Sequence, residues 1–140
     1  MNIITFLGGS VIGGFFGYFI KHFLELRYSK KLEEMNSKRQ VYESVIDSLN
    51  VFISGRNNSE STKDKFLQSY ARMWLWASDD VIKSVGLHLD QQVRIARNSK
   101  DVSEDELKAS FAGSVIEMRK DLGYPQTTLK KQDYKFVSFN

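Results

Sequence analysis

The chain has 140 residues, with 20 Lys plus Arg, 17 Asp plus Glu, two His and no Cys. That length holds one folded domain, or a small domain with an appendage. The lack of cysteine excludes a disulfide framework, a thiolate zinc site and a cysteine nucleophile, and a net charge of +3 with mixed signs does not by itself indicate nucleic acid.

The charges are unevenly placed: none falls in residues 1–20. Residues 3–20 read IITFLGGSVIGGFFGYFI, and Phe23 and Leu24 extend the apolar run past Lys21 and His22. A helix crosses the hydrocarbon core with about 20 apolar residues, so residues 1–24 are expected to form a transmembrane anchor. No Lys or Arg precedes the run and no A-x-A-like site follows it, which argues against a cleaved signal peptide. Lys21, Arg27, Lys30 and Lys31 follow the run. The positive-inside rule then places the N-terminus outside and the C-terminal part in the cytoplasm. The expected location is a bacterial inner membrane crossed once, with the lipid bilayer as one partner.

Five glycines sit in this stretch: Gly8, Gly9, Gly13, Gly14 and Gly17. Gly9, Gly13 and Gly17 are four apart and share a helix face, with Ser10 and Gly14 beside them. Small residues at this spacing let helix backbones pack closely. They predict a homo-oligomer; the alternative is a span that tolerates glycine without a partner.

Next comes a repeat. Tyr28, Leu32, Met35, Arg39, Tyr42, Ile46, Leu49 and Ile53 alternate spacings of four and three, a heptad seam interrupted by Arg39. Residues 25–54 read as a juxtamembrane stalk that self-associates as a coiled coil, or as the first helix of a monomeric bundle. Val41, Val45 and Phe52 widen the apolar face toward the bundle reading.

Residues 55–62 (GRNNSEST) form a loop, and Ser61 or Thr62 is placed to cap a second helix. Its apolar face is Phe66, Leu67, Tyr70, Met73, Trp74 and Ala77. Ser78 or Asp79 caps a third helix, or the second continues through a bend. Val81, Ile82, Val85, Leu89, Val93 and Ala96 then keep helical spacing. Residues 98–102 are a polar loop. Ser103 with Glu106 makes a capping box, and Leu107, Phe111, Val115, Met118 and Leu122 form the apolar face of the last helix. Gly123 stands at its C′ position, with Pro125 beyond. The tail, 126–140, is polar with interleaved aromatics and is expected to make a short turn, then an extended piece on the bundle.

The fold class is therefore all-α: one N-terminal transmembrane helix (1–24), a cytoplasmic helical domain of about four helices (25–125), and a tail (126–140). There is no P-loop, GxGxxG or HExxH motif, and no metal or cofactor is expected. The densest unusual stretch is Trp74 to Asp80, WLWASDD. Paired carboxylates beside aromatics could bind a divalent ion or do acid–base work. Adjacent helical residues diverge by about 100°, however, so Asp79 and Asp80 read better as helix N-terminal charges. Arg119 could bind phosphate, or pair with Asp79 or Asp80 and fix two helices together. Trp74, Asp79, Asp80 and Arg119 are thus the candidate ligand or inter-helix polar site. His88 reads as a surface or core histidine.

YARMWLWASDDVI, paired with a later helix ending in MRKDLG behind one N-terminal span, resembles small membrane-anchored bacterial proteins of unknown function, often associated with prophage or mobile elements. The resemblance covers residues 70–82 and 115–123. It implies an inner-membrane location and a role in phage defence or phage–host conflict, and it transfers no catalytic residue. The function expected from the residues is a non-enzymatic, membrane-anchored, self-associating module. Alternatives are a passive adaptor tethering a cytoplasmic protein partner, and a nucleotide-binding or enzymatic domain.

Overall fold

The computed structural model describes the backbone of residues 3–53, 59–97 and 101–137, and the side chains of 14–49, 59–97 and 101–137. Among the described residues the chain is all-helical, with four α-helices and a short 3-10 turn: α1 (Ile3–Ile53), α2 (Glu60–Trp76), α3 (Asp79–Ala96), α4 (Glu104–Asp121) and η1 (Lys131–Asp133). It divides into two units, Met1–Asn36 and Ser37–Asn140.

The expected membrane span is corrected. Among the described residues, no helix is long and apolar enough to cross a membrane. The single-pass inner-membrane placement, with N-terminus outside and domain in the cytoplasm, needed that span and is corrected with it. Of the glycine face, Gly9, Ser10 and Gly13 lie outside the residues whose side chains are described. Gly14 and Gly17 are exposed, and a Cβ at either would meet nothing within 4 Å.

In the first unit the described side chains are largely open to solvent. Phe15, Phe16, Phe19, Ile20, Phe23 and Leu24 are each more than half exposed and together line one apolar surface hollow. Their contacts are local. Tyr18 stacks on His22, Arg27 lies over the Phe23 ring at 4.5 Å, and Lys21 pairs with Glu25.

The second unit has a core. Val41, Tyr42, Val45 and Leu49 of α1 are buried with Phe66 and Met73 of α2, Val81 and Val85 of α3, and Phe111 and Met118 of α4. Positions 41, 42, 45, 48 and 49 make a broad buried stripe on α1, as a bundle helix requires. The narrower heptad seam is obeyed only in part: Tyr42 and Leu49 are buried, whereas Arg39 is exposed and paired with Glu43.

The helix ends follow their capping residues. Ser59 rather than Ser61 or Thr62 caps α2, accepting from the Thr62 backbone N–H. α2 and α3 are separate helices, broken at Ala77 and Ser78, where the backbone turns extended. The capping box at α4 is formed: Ser103 Oγ accepts from Glu106 N–H, and the Glu106 carboxylate accepts from Ser103 N–H. Gly123 ends α4 with φ of 102°. The Gly123 N–H donates to Lys120 O and the Tyr124 N–H to Arg119 O, the paired bonds of a Schellman end.

α4 is the central helix of the second unit. Ser110, Phe111, Ala112, Gly113 and Ser114 are all buried. Five consecutive buried residues go beyond one helical turn, so α4 is covered on every side there. α3 covers one side. On another lies the tail, where Tyr134 and Phe136 pack on Phe111 with ring centroids 5.7 and 6.0 Å away.

Candidate functional site

The sequence-derived candidates do not converge on one cavity. Trp74 is 58% exposed; its neighbour Met73 takes the core position. Leu67 and Leu75 are exposed as well, so α2 carries an inner apolar face (Phe66, Met73, with Tyr70 and Ala77) and a second, outer one. Asp79 and Asp80 are exposed in the first turn of α3, where the helix dipole favours carboxylates. Arg119 is exposed, with its guanidinium over the Tyr124 ring at 4.3 Å. Among the described residues no ion pair joins Arg119 to Asp79 or Asp80, and no group of three or more metal-ligating side chains is present.

The structure assembles a different polar site around Asp121, the last residue of α4. The Tyr42 hydroxyl of α1 donates to Asp121 Oδ2. Lys38 Nζ lies 3.3 Å from the same oxygen and 3.4 Å from Oδ1. The Ser78 backbone N–H, at the start of α3, also donates to Oδ2 at 3.4 Å. Ser78 makes no side-chain cap of its own; the carboxylate of another helix stands at this helix start. One side chain thus ties three helices. The Asp121 and Lys38 side chains are only 14% and 15% exposed, so the pair is poorly screened. Burial pushes the Tyr42 phenol far above its ordinary pKa, and its hydrogen bond to Asp121 and the carboxylate's charge raise it further. Tyr42 therefore remains a donor at any physiological pH.

A second polar line runs between α3 and α4. His88 is fully buried, edge-on to the Phe111 ring. Its Nδ1 is 2.8 Å from Ser110 Oγ and its Nε2 is 3.1 Å from Gln92 Nε2. Ser110 Oγ donates to Leu107 O, so its lone pair accepts from His88 Nδ1–H, and Nε2 accepts from the Gln92 amide. Every donor then has an acceptor, and the ring is neutral. Burial pushes the His88 pKa down to about 4, consistent with that neutral form. Ser84 meets Ser114 at 3.3 Å, Ser114 donates to Ser110 O, and Ser44 meets Ser69 across α1 and α2 at 2.6 Å.

A His–Ser pair at 2.8 Å has the spacing of a base and its nucleophile. Here the serine hydroxyl is committed to a carbonyl, and both residues are buried. No solvent-borne substrate reaches them while α3 and α4 are packed. Chemically the two lines do what buried, satisfied polar networks do: they fix which helix faces meet.

Sequence reasoning passed over Asp121 and placed His88 no more closely than surface or core. A signal for Asp121 existed. An aspartate at a helix C-terminus opposes the dipole, and such a residue calls for an outside partner. His88 falls at the buried spacing of Val81 and Val85, seven and three residues on.

No protein-family model, no curated protein and no solved structure matches this chain.

Proposed function

We propose that the protein is a self-associating helical module, in which the first unit supplies the assembly surface and the second is a self-contained bundle. The observation that carries this is the exposure of Phe15, Phe16, Phe19, Ile20, Phe23 and Leu24 on one helix, Phe16 reaching 68%. Aromatic side chains cover about 150–250 Å² each, so these six present roughly 700 Å² of apolar surface. A stable interface takes about 800 Å² from each partner, and contiguous apolar patches above a few hundred Å² mark interaction sites. The occupant is a second copy of this chain. At 3.6 residues per turn these six fall on one side of α1, which the exposed Lys30 continues. The patch is apolar and identical on every copy, so two copies meet through it as a self-complementary interface.

Sedimentation equilibrium of the full chain in aqueous buffer tests this. The expected result is a mass above the 16.2 kDa monomer that rises with concentration, and that Phe16→Glu with Phe19→Glu returns to monomer. A monomer at every concentration overturns the reading. So does a chain that floats with lipid vesicles while remaining monomeric on them.

A further inference from the structure

We infer that α4 carries a peptide-binding slot, filled in this structure by the chain's own C-terminal tail and able to take the same Tyr-x-Phe segment from a second copy. The inference concerns the second unit alone and does not rest on association through the first.

The slot has three parts. Phe111 is its floor: fully buried, it meets Tyr134 edge-on at 5.7 Å and Phe136 at 6.0 Å. Lys108, one turn earlier, places its ammonium 5.9 Å from the Phe136 ring centre. Gly113 makes the wall, where a Cβ would stand 2.9 Å from Lys131 Cε. The absent side chain leaves the channel that the Lys131 stem occupies. The ligand is pre-shaped too. Tyr134 and Phe136 pack on each other at 4.8 Å, and η1 is closed by the Lys130 N–H donating to Asp133 Oδ2 at 2.7 Å.

What makes the tail a ligand rather than a fixed strand is how it is held. Among the described residues, every hydrogen bond made by residues 126–137 stays within 124–135: Thr127 to Tyr124, Leu129 to Thr127, Lys130 with Asp133, and Lys135 to Gln132. None reaches a helix, and no ion pair does. Ring, aliphatic and cation–π contacts seat the tail, so it can leave without breaking a hydrogen bond of the bundle. A peptide of the same sequence makes the same contacts. The tethered tail competes with it at an effective concentration of order millimolar, so binding in trans strengthens when the tethered copy is weakened.

The test uses the full chain and a fluorescein-labelled peptide of residues 129–137, LKKQDYKFV. The expected result is weak binding to the wild-type chain and about tenfold tighter binding to the Phe136→Ala chain, whose own tail competes poorly. A peptide with Ala at both aromatic positions should not bind. Lys108→Glu, at the half-buried edge of the slot, should weaken binding several-fold while helical circular dichroism is unchanged. No binding to either chain at millimolar peptide overturns the proposal. Equal binding to wild type and Phe136→Ala also overturns it, since the peptide would then sit elsewhere. Because the readout is peptide affinity in the second unit, its failure leaves self-association through the first unit standing, and the reverse.

Discussion

α1 carries apolar residues of two kinds on one continuous pattern. Tyr28 and Leu32 belong to the first unit and are exposed; Tyr42 and Leu49, two and three heptads along from Tyr28, belong to the second and are 1% exposed. The repeat is the same on both sides of Asn36. What differs is the company. Tyr42 and Leu49 have Phe66 and Met73 of α2 and Phe111 and Met118 of α4 to pack against, and Tyr42 has Asp121 for its hydroxyl. Periodicity therefore states that a helix wants a neighbour, and not where that neighbour comes from. In the second unit the chain provides it for Tyr42 and Leu49; in the first it leaves Tyr28 and Leu32 uncovered, and the copy proposed above packs on the Phe16 and Phe19 side of the same helix.

Variants in the two units should separate cleanly. The largest effect on folding is expected at Asp121. Asp121→Ala removes the half-buried carboxylate that Tyr42, Lys38 and the start of α3 share. Breaking a largely buried pair in this way costs about 3 kcal/mol, read as a fall in the urea midpoint of the full chain with its sedimentation mass unchanged.

Acid should act nearly as strongly through His88. The folded-state pKa, about 4, lies below the unfolded value near 6.5, so the unfolded chain binds the proton more readily. Stability is thus fully present above pH 6.5, declines as pH falls, and levels off below pH 4, after a loss of about 3 kcal/mol. Protonated Nε2 would also face the Gln92 amide donor. Urea midpoints between pH 7 and pH 4 should show this slope, and His88→Gln should flatten it.

Phe136→Ala should cost less, about 2 kcal/mol, because the site it leaves opens partly to solvent. The thermal midpoint reports it. Ser103→Ala removes one side of the α4 capping box and should cost about 1 kcal/mol, read the same way. Leu75→Gln, on the outer face of α2, should change stability by less than about 0.5 kcal/mol. A large change in mass with Leu75→Gln would move the assembly surface to the second unit and dissolve the contrast.

Much of the second unit was legible in the chain. The α4 capping box and Gly123 carry local chemistry that acts over three or four residues, and both act as read. The core positions of α3 and α4 follow their spacing, from Val81 and Val85 to Phe111 and Met118. Trp74 and Leu67 show where spacing fails. They extend the apolar face of α2 beyond the sector that α1 and its neighbours cover, and only the packing decides which sector is inward. Asp121 failed to be read for a related reason, since its partners are 79 and 83 residues away in sequence. The N-terminal stretch was read as a span from composition alone, and the described residues hold no helix that is long and apolar enough.

The absence of cysteine allows the central contrast to be tested in one experiment. A single cysteine is placed at Lys30, on the Phe16 and Phe19 side of the first unit, or at Gln68, exposed on α2 in the second, and each full chain is mildly oxidised at low concentration. A disulfide forms readily only when Cα atoms come within about 7 Å. The account predicts a rapid covalent dimer with Lys30→Cys and none with Gln68→Cys. Cross-linking at Gln68 without cross-linking at Lys30 would contradict it.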